Sequence, residues 1–185
     1  QGEKENSRRL YECCFPEDSQ KFVDYYYQEK CRENEIAVIE ENGKIISMVH
    51  ANPFTVSCCG TQAEVHYIVA VATDPEYRRR GYMRQLMQQV LRDCRNRGEV
   101  FSFLMPADPA YYEPLGYRYW NNQYVWEIPK EQELLLKGFC QNPEYQSDAD
   151  PKALAQMADR ILADQFDLYI LRNASYYERI EKEQE

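Results

Sequence analysis

Hydrophobic positions in the first part of the chain recur at helical spacing. Asp18-Ser19 is a plausible N-cap, and Phe22, Val23, Tyr26 and Tyr27 follow it with the period of one helix face. The first third therefore predicts two helices, after which the period changes.

The next apolar runs have the composition of β-strands. Residues 36–39 and 45–49 are rich in Ile and Val and are joined through Asn42-Gly43, a pair that tolerates the positive φ of a tight hairpin. A second turn at Cys59-Gly60 leads into a long strand from Glu64 to Thr73. We therefore predict an antiparallel meander of three strands.

From Gly81 the pattern becomes helical again and then returns to a strand. One face of the predicted helix is apolar from Met83 to Cys94, the other is polar, and Gly98 ends it. Residues 100–105 form a short apolar run, typical of a buried strand beside a crossover helix. Strand, helix and strand in this order indicate a parallel pair. Asp108-Pro109 then predicts a short helix, and residues 117–128 a closing strand.

The pattern predicts a mixed α/β (α+β) fold with an additional C-terminal segment. Residues 1–128 are expected to form one domain and residues 129–150 a linker. Asp150-Pro151 opens a helix in residues 151–185, which we interpret as a helical extension and the start of a second domain. Both ends of the chain lack start and stop signals, so we expect a piece of a longer protein.

Composition narrows the possible partners. The chain has 185 residues and a formal net charge of -9, which disfavours nucleic acid and suits a cationic small molecule or peptide. No apolar stretch approaches the ~20 residues of a membrane span, and we expect a cytoplasmic location. The seven cysteines lack two-residue spacing, which favours small buried side chains and no metal.

The most informative segment is a basic loop between a strand and a helix. Arg78-Arg79-Arg80-Gly81 precedes the predicted helix, whose free N-H groups and positive dipole end can hold an anion. A solvated basic loop is the alternative interpretation. Its position at a helix start in an acidic chain favours a phosphate site.

Here the sequence resembles the GCN5-related N-acetyltransferase (GNAT) superfamily. The loop matches the pyrophosphate motif of that superfamily as Arg78-x-x-Gly81-x-Met83, with Met83 in place of a small residue. Residues 69–72 before the loop and Tyr111-Tyr112-Glu113-Pro114-Leu115-Gly116-Tyr117 after it lie where the family has its other signals. The resemblance spans roughly residues 6–128 and implies a mostly antiparallel sheet with a splayed parallel strand pair.

Within the superfamily the chain resembles the Eis-like acetyltransferases, which modify amines, including those of aminoglycosides. Residues 172–179 are similar to the start of their second domain. The resemblance implies an N-acetyltransferase that takes acetyl-CoA as co-substrate, acetylates a primary amine of a cationic acceptor, and forms a homo-oligomer as a full-length protein.

The resemblance also implies roles for individual residues. Backbone groups of Val71, Ala72 and Thr73 are expected to pair with the pantetheine arm of acetyl-CoA. The pyrophosphate is expected on the amides of the following loop and helix start, namely Arg79, Arg80, Gly81, Tyr82, Met83 and Arg84.

Tyr112 is the candidate general acid, since a phenol can protonate a thiolate of similar basicity. A purely packing role for Tyr112 is the alternative, and Tyr111 is the residue most easily mistaken for it. Glu64 and His66 are local candidates for the general base, and His50 has the same weak claim, since a lone strand histidine is more often structural. An acyl-CoA-binding sensor or interaction module without catalysis stays open as the second functional hypothesis.

Overall fold

The computed structural model describes residues 2–121, 129 and 149–184. Its α-helices are α1 (Gly2–Glu5), α2 (Arg8–Cys14), α3 (Gln20–Gln28), α4 (Tyr82–Asn96), α5 (Pro151–Gln165) and α6 (Ala174–Gln184). Its strands are β1 (Glu35–Glu41), β2 (Lys44–Cys58), β3 (Thr61–Thr73), β4 (Ser102–Leu104) and β5 (Leu168–Ile170). No helix in these ranges is long and apolar enough to cross a membrane.

The strands form one mixed sheet in the order β1-β2-β3-β4. β1, β2 and β3 are antiparallel neighbours, whereas β3 and β4 are parallel and are connected through α4. The predicted meander, crossover helix and parallel pair are thus confirmed, and so is the mixed α/β fold class.

Local sequence signals explain where these elements begin and turn. The Ser19 hydroxyl accepts a hydrogen bond from the Phe22 amide at 3.1 Å and caps α3. At the first hairpin Asn42 and Gly43 have φ values of 52° and 74°, as a two-residue turn with left-handed residues requires.

Two hydrophobic clusters cover opposite faces of the sheet. The first packs α2 and α3 against one face, around Tyr11, Tyr26 and Met48. The second packs α4 against the other face, around Val49, Ile68 and Met87. The sheet is therefore the middle layer between helices, and α4 lies on the face opposite α2 and α3.

The C-terminal segment contributes a strand as well as helices. β5 pairs antiparallel with the end of β2, from Val56 to Cys58. α6 contacts α3 through the Tyr25 hydroxyl, which donates to the Arg179 carbonyl at 3.0 Å, and Arg179 Nη1 also pairs with Glu33 Oε2, beyond the end of α3, at 2.9 Å. The hydrophobic pattern predicted only a helical extension here, because a strand of three residues is too short to show the alternation typical of a strand. The division into two domains stays a prediction.

The predicted closing strand at 117–128 lies largely outside the described residues, as does most of the predicted linker at 129–150. Residues 117–121 have no regular secondary structure. The short helix predicted after Asp108 is a 3₁₀ turn at Pro109–Tyr111, capped by the Asp108 carboxylate, which accepts from the Ala110 amide at 2.9 Å.

Candidate functional site

Strand β3 is interrupted by a β-bulge shortly before its end. Val69 pairs with His50 and Ala72 pairs with Met48, so Ala70 and Val71 together face the single residue Val49. Ala70 has a φ of 49°, a left-handed conformation that is unusual for alanine. The bulge therefore interrupts the regular pairing of β3 with β2 at this point.

The same end of β3 extends beyond its parallel neighbour. Pairing with β4 stops at Ile68 and Leu104, whereas β3 continues for five more residues to Thr73. The predicted pantetheine-binding residues lie on this extension. Two of their carbonyls already accept side-chain hydrogen bonds: that of Ala72 from the Ser47 hydroxyl at 3.1 Å, and that of Thr73 from Arg78 Nε at 3.2 Å.

A basic loop connects this strand end to α4. The side chains of Arg78, Arg79 and Arg80 are exposed, and the Arg80 guanidinium lies 5.0 Å from the centre of the Tyr77 ring. Arg79 has a φ of 63°, so the loop contains a second strained non-glycine residue. The loop therefore presents its positive charge to solvent beside the start of the helix.

Helix α4 begins without a side-chain cap. Gly81 is the N-cap at a φ of 84° and has no side chain to accept from the first amides. The N-H groups of Tyr82, Met83 and Arg84 occupy the first turn, where an α-helix has no internal acceptors. The Tyr82 and Met83 side chains are half-buried and that of Arg84 is exposed. Both the unpaired N-H donors and the positive end of the helix dipole would stabilise an anion bound at this position.

Tyr112 lies on the same face of the sheet as α4. Its side chain is 9% exposed and packs in the cluster around Met87, against which Val71 and Met83 are also packed. Burial raises the pKa of Tyr112 above its ordinary value, with smaller contributions from Tyr111 and Tyr67. The cluster thus brings together residues from the bulged strand, the helix start and the tyrosine segment.

Tyr111 and Tyr112 differ sharply in environment. Tyr111 is 62% exposed, whereas the ring of Tyr112 makes an edge-to-face contact with Tyr117 at 6.0 Å between centroids. The sequence alone offers the two residues almost equally, and only the turn at Pro109–Tyr111 decides which of them faces the core.

The two local candidates for the base are engaged elsewhere. Glu64 accepts a hydrogen bond from the Thr55 hydroxyl at 2.8 Å near the far end of β3. His66 Nδ1 lies 2.9 Å from Glu99 Oε2 in a buried pair beneath the end of α4.

Sequence reasoning missed the bulge at Ala70, because no glycine or proline marks it.

Comparison with known proteins agrees with this geometry. Residues 1–120 match the family model described as the acetyltransferase (GNAT) domain, which is 120 of the 185 residues. The comparison with curated proteins finds no match.

Several solved structures share the fold. A protein of Enterococcus faecalis V583 described as a probable N-acyltransferase has a TM-score of 0.57 and 22% identity over 62% of this chain and 30% of its own. A GNAT family acetyltransferase from Brucella melitensis in complex with acetyl-CoA has a TM-score of 0.52 and 20% identity over 63% and 78% of the two chains.

Glucosamine-6-phosphate N-acetyltransferase from Arabidopsis thaliana has a TM-score of 0.53 and 16% identity over 69% and 92% of the two chains. This chain spans less than a third of the Enterococcus protein's length. At these identities the structures establish the fold, and the family match covers well over half of the sequence. The chain therefore belongs to the GNAT acetyltransferase family, whose acetyltransferases use acetyl-CoA as co-substrate.

Proposed function

We propose that this chain is an acetyl-CoA-dependent N-acetyltransferase domain that transfers an acetyl group directly to a primary amine. The observation that carries the proposal is the shared cluster of Val71, Met83 and Tyr112. It joins a strand end able to hold an amide-containing arm, a helix start able to hold phosphates, and a buried phenol. These are the three parts that acyl transfer from a coenzyme A thioester requires.

The first part of the site would bind the donor. The pyrophosphate would accept from the backbone amides of the loop and first helical turn, and the exposed arginines would add long-range attraction. Gly81 supports this arrangement in two ways: its φ of 84° sets the direction of the loop, and no atom lies within 4 Å of the position a Cβ would take. The space beside it is open to a ligand.

The second part would carry the chemistry. Bound acetyl-CoA supplies a thioester carbonyl, which the neutral acceptor amine attacks. A backbone N-H near the bulge, at Val71 to Thr73, would donate to the developing oxyanion, an interaction typically worth ~3 kcal/mol of barrier. Tyr112 would give its proton to the departing thiolate, while the proton lost by the amine passes to a base.

For the acceptor we propose a primary amine of a cationic molecule, such as an aminoglycoside-like compound. The net charge of -9 supports this choice, since it would attract cations to the domain. The Eis-like relationship, a homo-oligomer of the full-length protein and a cytoplasmic location belong to the same proposal. The small share of the Enterococcus chain that is covered is consistent with a domain from a longer protein.

A second candidate function is an acyl-CoA-binding sensor without turnover. The positions of Glu64 and His66 favour it, because each is held in a contact that does not point to the bulge. Both candidate functions require the donor site, so donor binding is tested before turnover.

The donor site is tested by calorimetric titration of the chain with acetyl-CoA. Gly81→Glu should weaken binding at least tenfold, because it places a negative charge in the phosphate site. Gly98→Glu is the matched control: Gly98 has a φ of 83°, equally open surroundings, and a position beyond the other end of α4. Both variants carry a similar backbone penalty of ~1–2 kcal/mol. Equal affinities in the two variants would refute the phosphate site.

Turnover is then followed as free thiol release with a panel of polyamines and aminoglycosides, on this chain and on the full-length protein. Turnover in either supports the transferase. Saturable binding without turnover in both favours the sensor, and absence of binding excludes both functions.

A further inference from the structure

Three side chains with metal-ligating atoms meet beneath the C-terminal end of α4. His66 comes from β3, Cys94 from the last turns of α4, and Glu99 from the connection to β4. One ligand atom from each lies within 4.8 Å of the others. His66 and Cys94 are 6% and 4% exposed, and the Glu99 side chain is 4% exposed. This buried set of imidazole, thiol and carboxylate has no role in the proposed acetyl transfer.

The ligand atoms, at most 4.8 Å apart, need small movements to reach the spacing of a tetrahedral zinc site. Zinc bonds of about 2.0–2.3 Å to nitrogen, oxygen and sulfur place neighbouring ligand atoms roughly 3.3–3.6 Å apart. His66 Nδ1 and Glu99 Oε2 are 2.9 Å apart. An ion bound by both atoms would require them to separate by roughly 0.4 Å, and a pair at the 4.8 Å limit of the group would have to approach by roughly 1.3 Å. Side-chain rotation can supply both movements.

Arg97 already orients this group. Its Nε donates to Glu99 Oε1 at 2.7 Å, leaving Oε2 towards His66, and its Nη2 donates to Cys94 Sγ at 3.4 Å. Arg97 Nη1 also pairs with Glu35 at 3.1 Å. Outer-shell donors of this kind fix ligand orientation in metal sites.

The charges at the cluster balance when a divalent ion is present. The two positive charges of the ion and the one of Arg97 match those of a Cys94 thiolate, Glu99 and Glu35. Burial of the ion therefore leaves no net charge uncompensated, which is the usual obstacle to placing charge in a protein interior.

We propose that His66, Cys94 and Glu99 form a binding site for a zinc-class divalent ion, with water in the fourth position. His66 would bind the ion through Nδ1, with its ring hydrogen on Nε2, and Cys94 would bind as the thiolate, its thiol proton being released to solvent. The ion would tie β3 to the end of α4, about 20 Å along the helix from Gly81. The site is therefore separate from acetyl transfer and independent of the proposed function.

The test is a titration of the chelator-treated chain with Co²⁺, followed by the thiolate-to-cobalt charge-transfer absorption, and with Zn²⁺ in a calorimeter. We expect saturable binding of one ion per chain. Cys94→Ser should abolish the charge-transfer band and weaken Zn²⁺ binding at least tenfold. The control is the double variant Cys58→Ser, Cys59→Ser, which removes two exposed thiols and should retain the band.

Glu99→Gln provides a second variant that keeps the thiol, and circular dichroism shows whether each variant is folded. It should retain the charge-transfer band and bind Zn²⁺ at least tenfold more weakly. Calorimetry in buffers of different ionisation enthalpy should show proton release on binding, because a thiol binds zinc as the thiolate.

No saturable binding, a band that persists in Cys94→Ser, a band lost in the double variant, or unchanged affinity in Glu99→Gln would each overturn the proposal.

Discussion

Replacing Tyr112 by phenylalanine removes one oxygen atom from the centre of the proposed active site. The ring would keep its place, because its packing in the α4 cluster and its edge-to-face contact with Tyr117 involve carbon atoms. The described residues contribute no side-chain hydrogen bond to the Tyr112 hydroxyl. We therefore expect the free energy of unfolding to change by less than ~1 kcal/mol.

The effect on turnover should be much larger. Burial raises the pKa of Tyr112 above its usual value near 10, so the phenol is protonated throughout the neutral range. A positioned general acid contributes about 10²–10⁴-fold to the rate. Tyr112→Phe should therefore lower kcat about 100-fold, equivalent to ~2.7 kcal/mol of barrier, and leave the acetyl-CoA affinity unchanged.

The assay is steady-state thiol release, with acetyl-CoA affinity measured separately by calorimetry. Tyr111→Phe is the matched control, since it removes the same atom from the neighbouring residue, which is 62% exposed. The wild-type rate should also fall at high pH, and only when the pH rises above the raised pKa of Tyr112, where the phenol loses its proton. An unchanged kcat in Tyr112→Phe, or an equal loss in Tyr111→Phe, would show that Tyr112 is a packing residue.

Two further predictions concern stability, measured by urea denaturation. Met87→Ala should cost about 2–5 kcal/mol because the Met87 side chain of α4 is fully buried against the sheet. Met157→Ala, at a residue 47% exposed, should stay within about 0.5 kcal/mol, and similar losses in the two variants would contradict the packing of α4. Lys44 lowers the pKa of Asp74, so the ion pair stabilises the fold above the unfolded pKa of about 4. The stability difference between wild type and Asp74→Asn should therefore be largest near neutral pH and shrink as the pH falls through the lowered pKa. A difference that is constant down to strongly acidic pH would contradict the pairing.

The sequence predicts those parts of the fold whose signals are local. The hairpin at Asn42-Gly43 and the cap at Ser19 follow from the conformations that these residue types allow. The amphipathic face from Met83 to Cys94 likewise predicts α4, since its burial requires a sheet beside it.

Features that depend on pairing between distant residues are not visible in such patterns. The bulge at Ala70 arises from the register of β3 against β2, and β5 is a strand only because the edge of β2 is available to it. The cluster of His66, Cys94 and Glu99 joins residues more than 30 positions apart at its extremes, so no motif spacing indicates it.

The position of the reaction along β3 limits which residue can act as the base. A strand rises about 3.3 Å per residue, so Glu64 lies about 20 Å from Ala70, and His66 about 13 Å from it. Glu64 is also held by Thr55, and His66 faces α4 in its pair with Glu99. Direct proton transfer requires a base within about 3 Å of the amine, or one bridging water. If acetyl transfer occurs at the bulge, neither residue can accept the amine proton directly, and the base must come from another part of the protein.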